Sequence, residues 1–108
     1  MMSEIRTSPV EARRVDVVNS EVPPGSFKFY AAGGSVYAKY GAADDRQPDG
    51  MIYACPCGCR NVGVLPFKPG ASPSWAWNGD RDAPTLEPSV WDKGHWHGWL
   101  RNGVWESV

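Results

Sequence analysis

The sequence predicts a small, mostly β, single-domain protein: a zinc-stabilised assembly of antiparallel β-hairpins with little helix. Three observations predict it. The 108 residues include 12 glycines and 10 prolines, a content that disfavours long helices and favours short strands joined by turns. Large apolar residues alternate along the chain, as in Phe27 and Phe29 or Trp75 and Trp77, which is the period of a strand. All three cysteines lie in Cys55-Pro56-Cys57-Gly58-Cys59, and both histidines in His95-Trp96-His97. These two clusters can tie distant parts of a small chain through one metal ion.

The elements follow in order. Residues 1–24 read as a flexible N-terminal arm, with a short alternating piece at Val15-Asp16-Val17-Val18 that offers one edge strand. Residues 25–108 read as the zinc-binding β domain. Ser26 to Tyr40 forms a hairpin turning at Gly33-Gly34. Gly41 to Gly50 is a polar loop. Met51-Ile52-Tyr53-Ala54 is a strand entering the cysteine run, and Asn61 to Phe67 is a strand leaving it. Lys68 to Ser74 is a loop, and Trp75 to Asn78 is a strand closed by the Gly79-Asp80 turn. Two prolines keep Pro84 to Val90 extended. His95 to Leu100 and Val104 to Val108 pair around Arg101-Asn102-Gly103, where Asn-Gly is a strong turn signal.

Composition excludes several classes. Eleven basic and 12 acidic residues give a net charge of −1, which leaves no basic footprint for nucleic acid. No apolar run approaches the roughly 18–20 residues of a membrane span. Met1-Met2-Ser3-Glu4-Ile5 lacks the charged and apolar regions of a secretory signal, so a cytoplasmic location is expected. Clustered thiols in a reducing compartment read as metal ligands rather than disulfides.

Zinc takes four tetrahedral ligands from thiolate and imidazole when its role is structural. Cys55, Cys57 and Cys59 supply three, provided the turn bends them together, since Gly58 permits positive φ. His97 or His95 supplies the fourth, both facing one side if their segment is a strand. The expected cofactor is therefore Zn²⁺. The competing reading makes the cysteines small buried apolar residues and the histidines surface groups.

Catalytic signatures are sparse. There is no H-E-x-x-H, no deaminase H-x-E with P-C-x-x-C, no P-loop and no G-x-S-x-G elbow. Cys57 with His97 has the makings of a nucleophile–base pair, but the flanking thiols favour ligation. Asp80, Asp82 and Glu87 are acid–base candidates whose placement suits turn and surface roles better. Six tryptophans either fill a β core or line a binding surface. Trp75, Trp77, Trp99 and Asp80 are the candidate ligand-binding residues.

The cysteine run together with Trp75-x-Trp77-Asn78-Gly79-Asp80, Pro84-Thr85-Leu86-x-Pro88-Ser89-Val90 and His97-Gly98-Trp99-Leu100-Arg101-Asn102-Gly103 resembles a family of small uncharacterised proteins. That family occurs in phages, prophages and bacterial mobile islands. The resemblance covers roughly residues 50–106. It implies a zinc-binding β domain held by the cysteine run and His97. Relatives often carry a cysteine where this chain has Gly94. Some members accompany bacterial ubiquitin-like conjugation genes, which implies a protein partner.

The resulting expectation is a zinc-binding interaction module encoded by a phage or mobile element. It has a structural Cys/His site, a Trp-lined surface, a protein partner and scope for homo-oligomerisation. The alternatives are a zinc-dependent hydrolase with a pocket near the Trp and Asp residues, and a virion or assembly component.

Overall fold

The computed structural model describes residues 6–30, 48–68, 73–92 and 94–108. Among these residues every regular element is a strand. In chain order they are β1 (Val10–Glu11), β2 (Phe27–Tyr30), β3 (Gly50–Ala54), β4 (Val62–Pro66), β5 (Ala76–Trp77), β6 (Leu86–Glu87), β7 (Val90–Asp92), β8 (Trp96–Arg101) and β9 (Val104–Ser107). They form three antiparallel sheets, ordered β1-β9-β8-β7, β2-β3-β4 and β5-β6. The predicted β class holds.

The edge strand lies elsewhere than Val15–Val18. It is Val10–Glu11, which pairs with Trp105 and Val104. Ala12 explains the choice. Its methyl is buried in the core and its N–H donates to the Gly103 carbonyl at 2.8 Å, while Val17 is 62% exposed. The Gly33-Gly34 turn and most of the Gly41–Gly50 loop lie outside the described residues.

Alternation decides which side of each strand is buried. Along β8, Trp96, Gly98 and Leu100 face inward, while His97, Trp99 and Arg101 face the other way. The β8–β9 turn has φ of 49° at Asn102 and 75° at Gly103, the pair of left-handed residues that a two-residue hairpin requires. The expected Asn-Gly turn is therefore present.

Trp105 joins the two larger sheets. It is wholly buried, lies 5.2 Å from the Tyr53 ring of β3 and meets Trp96 of β8 edge-on at 5.7 Å. Its indole N–H donates to the Gly25 carbonyl at 2.9 Å. A side chain at Gly25 would meet Val10 at 2.8 Å and Trp105 at 2.9 Å, and φ there is +84°, so glycine is required. A second aromatic group docks the smallest sheet, because Trp77 of β5 stacks on Phe67 at 5.3 Å and leans on Phe29 of β2 at 5.0 Å.

Trp105→Phe keeps much of the apolar bulk but strands the buried Gly25 carbonyl. An unpaired buried acceptor costs about 1–3 kcal/mol. Urea unfolding followed by circular dichroism should show a loss of stability in that range, with the fold retained.

Candidate functional site

The β3–β4 connection gathers the cysteines. The ladder continues one step past Ala54 through the Cys55 N–H to the Asn61 carbonyl at 2.9 Å. The chain then turns sharply, with the Gly58 N–H donating to the Cys55 carbonyl at 3.1 Å and positive φ at Gly58 (85°) and Arg60 (69°). The Sγ atoms of Cys55, Cys57 and Cys59 all lie within 4.8 Å of one another, with Cys55 and Cys57 3.3 Å apart. Tetrahedral thiolates at about 2.3 Å from zinc stand roughly 3.8 Å apart, so the cluster has the dimensions of a three-sulfur metal site.

Burial raises the Cys55 thiol well above its usual pKa and outweighs the Cys57 N–H, which favours the thiolate. A hydrogen bond involving the Asp92 carboxylate raises it further. Cys57 is raised as well, chiefly by burial. Protonated thiols are poor nucleophiles, and a bound metal would displace their protons.

The two histidines separate from each other. His95 lies at the margin of the cysteine turn, with Nε2 3.5 Å from Asn61 Nδ2. His97 instead meets Ser89, with Nε2 3.0 Å from Ser89 Oγ. The β7–β8 register produces this contact. Val90 pairs with Gly98, Trp91 with His97 and Asp92 with Trp96. Ser89 therefore stands one step beyond the ladder, diagonal to His97. Val90 faces the core, so its neighbours Ser89 and Trp91 share the outer face with His97 and Trp99. Trp91 is 58% exposed, with its ring 5.9 Å from the imidazole.

Trp75 fixes the serine main chain. Its indole N–H donates to the Ser89 carbonyl at 3.2 Å. Trp75 is itself bonded to the end of β4, through its N–H to the Pro66 carbonyl and its carbonyl to the Lys68 N–H, each at 2.8 Å.

The other candidate ligand-binding residues take different positions. Trp77 packs into the aromatic group and donates to the Asp80 carbonyl at 3.1 Å. Trp99 is half-buried under the Arg101 guanidinium, 4.4 Å from its ring centre. The Asp80 carboxylate accepts the Asp82 and Ala83 N–H groups at 2.9 Å, while Asn78 Oδ1 accepts those of Asp80 and Thr85 at 3.1 Å. The Trp-Asn-Gly-Asp motif thus builds a loop.

Sequence reasoning missed Ser89. No flanking glycine marks it. The available signal was the eight-residue spacing to His97 across a hairpin, read in antiparallel register.

The Ala83 and Asp82 N–H groups hold the Asp80 carboxyl below its ordinary pKa. A depressed carboxyl stabilises the fold above its unfolded pKa, about 3.9. That contribution should fade as pH falls through the lower folded value. A carbon-detected NMR titration should place the Asp80 midpoint below that of free aspartate.

Among the described residues no helix is long and apolar enough to cross a membrane. Comparison with curated proteins and with solved structures gave no match. Residues 24–108 match the family described as bacterial ubiquitination-like system serine protease (BubE), a span that contains every motif quoted above. The match overturns the expectation of a non-enzymatic zinc-binding interaction module and favours neither the zinc-dependent hydrolase nor the virion component. It carries no phage or mobile-element origin. The cysteine run is the more conspicuous signal in the sequence and points to a metal, whereas Pro84 to Val90 carries only the signal of an extended segment. The chain belongs to the BubE family of bacterial ubiquitination-like system serine proteases.

Proposed function

We propose that the protein is a serine protease of a bacterial ubiquitination-like system, with Ser89 as nucleophile and His97 as general base. The 3.0 Å contact between Ser89 Oγ and His97 Nε2 carries this reading, because a base must lie within hydrogen-bond reach of the proton it removes. With the other ring proton on Nδ1, Nε2 accepts the Ser89 hydroxyl proton as Oγ attacks the scissile carbonyl. The protonated imidazole then gives that proton to the departing amine, leaving an acyl ester on Ser89. Water attacks the ester with its proton passing to His97, and the acid is released as the proton returns to Oγ.

Among the described residues no carboxylate is hydrogen-bonded to His97, so the pair acts as a dyad in this account. Indole hydrogen bonding at the Ser89 carbonyl restrains the backbone that carries the nucleophile. In a ubiquitination-like system the amide bonds to be broken join a ubiquitin-like protein to another polypeptide. A substrate of that kind agrees with an open site on a sheet face rather than a closed cavity.

Zinc fits the cysteine cluster as a structural tie, held by Cys55, Cys57 and Cys59, with no part in proton transfer at Ser89. Asp92 and His95 are the nearby candidates for a further ligand. Structural zinc contributes on the order of 10 kcal/mol to folding. Metal analysis should find one zinc per chain. Removal by a strong chelator, or Cys57→Ser, should unfold the domain as followed by tryptophan fluorescence.

The catalytic test uses a ubiquitin-like protein fused at its C terminus to a short peptide. Ser89→Ala and His97→Ala should each lower kcat/KM by about 10³-fold or more with unchanged circular dichroism. Full activity in the folded Ser89→Ala variant would remove the proposal. Trp75→Phe should lower kcat several-fold with little change in KM, since it loosens the serine without touching the substrate.

A further inference from the structure

We propose that the groove leading from Trp99 along β5 and β6 is the substrate cleft, and that it takes an extended polypeptide with a small side chain over Ala76. This rests on the Ser89–His97 reading and adds to it where the substrate lies. A hollow of about 490 Å³ is lined by Lys68, Ala76, Glu87, Pro88 and Trp99. A second of about 170 Å³ is lined by Ala76, Trp77, Asn78, Thr85 and Glu87. They share Ala76 and Glu87, so they adjoin along the β5–β6 pair, and we treat them as two parts of the proposed channel.

Ser89 adjoins the larger hollow through two of its lining residues. Pro88 immediately precedes it, and Trp99 is its partner one step beyond the β7–β8 ladder. The larger hollow is within the usual range of volumes for ligand sites and is widely open to solvent. An open hollow suits a chain laid across the surface rather than an enclosed compact ligand. Three of its lining residues are apolar: Trp99, Pro88 and Ala76. The other two, Lys68 and Glu87, carry opposite charges, which suits a neutral peptide backbone and not a polyanion.

Ala76 sets the selectivity. It is exposed on β5, directly opposite Glu87, and belongs to both hollows. Its neighbour Trp77 faces the aromatic core. A large residue at position 76 therefore projects into the channel without entering the core.

Ala76→Trp decides the matter, measured with the same peptide-tailed ubiquitin-like fusion and with p-nitrophenyl acetate. The ester reports Ser89 acylation and is too small to need the channel. The expected result is a KM for the fusion raised at least tenfold, with ester acylation within twofold of the parent and near-UV circular dichroism unchanged. Glu87→Arg, a rim variant that leaves the core untouched, should raise KM in the same direction. An unchanged KM in both variants, with acylation intact, would overturn the cleft and leave the Ser89–His97 pair standing. Failure of the parent protein to acylate at Ser89 or to cleave the fusion would overturn both.

Discussion

Ser89 and His97 meet because β7 and β8 run antiparallel with Trp91 opposite His97. Side chains alternate between faces along a strand, so a slip of one residue would turn His97 and Trp99 inward and Trp96 and Leu100 outward. Trp96, Leu100 and Val90 are almost completely buried. Each large apolar side chain returned to water costs about 1.5–3 kcal/mol, which makes the slipped register untenable. Gly98 is part of the same constraint. A Cβ there would collide with the Glu106 carbonyl and the Trp96 ring, so the close approach of β8, β9 and the Trp96 indole requires a residue without a side chain.

The strand that follows the serine has three residues and little stability of its own. It is held from both ends. At Ser89 the Trp75 indole connects it to the end of β4. At Asp92 the carboxylate reaches Cys55 in the β3–β4 turn. Both ties originate in the three-stranded sheet, and Trp105 packs that sheet against the one bearing His97. The cysteine cluster therefore bears on the proposed Ser89–His97 pair indirectly, through the position of β7. A site assembled from a strand end and a hairpin face needs such support, since errors of about 1 Å in a catalytic pair are costly.

Much of the fold was legible because the relevant signals are local. Alternation located β8 and β9, Asn102-Gly103 marked their turn, and Pro84 and Pro88 kept the intervening segment extended. The N-terminal strand was misplaced because Val15–Val18 carries the pattern of a strand, whereas Val10–Glu11 is chosen by what β9 leaves unpaired and by the buried methyl of Ala12. In the site, the spacing of Cys55, Cys57 and Cys59 revealed a cluster because the three lie within one turn. Asp80 looked like a functional acid, but its oxygens are occupied by the N–H groups of its own loop. Ser89 was invisible because nothing in Pro88-Ser89-Val90 marks a nucleophile. Its partner is set by long-range register, and composition drew His97 toward the cysteines instead.

Covalent trapping tests the central claim most directly. The protein would be incubated with diisopropyl fluorophosphate and digested, and the modified residue located by mass spectrometry. The account expects a single adduct on the Ser89 hydroxyl that is lost when His97 is replaced by alanine in a folded protein. No adduct on the folded protein, or an adduct on a different serine, would contradict it.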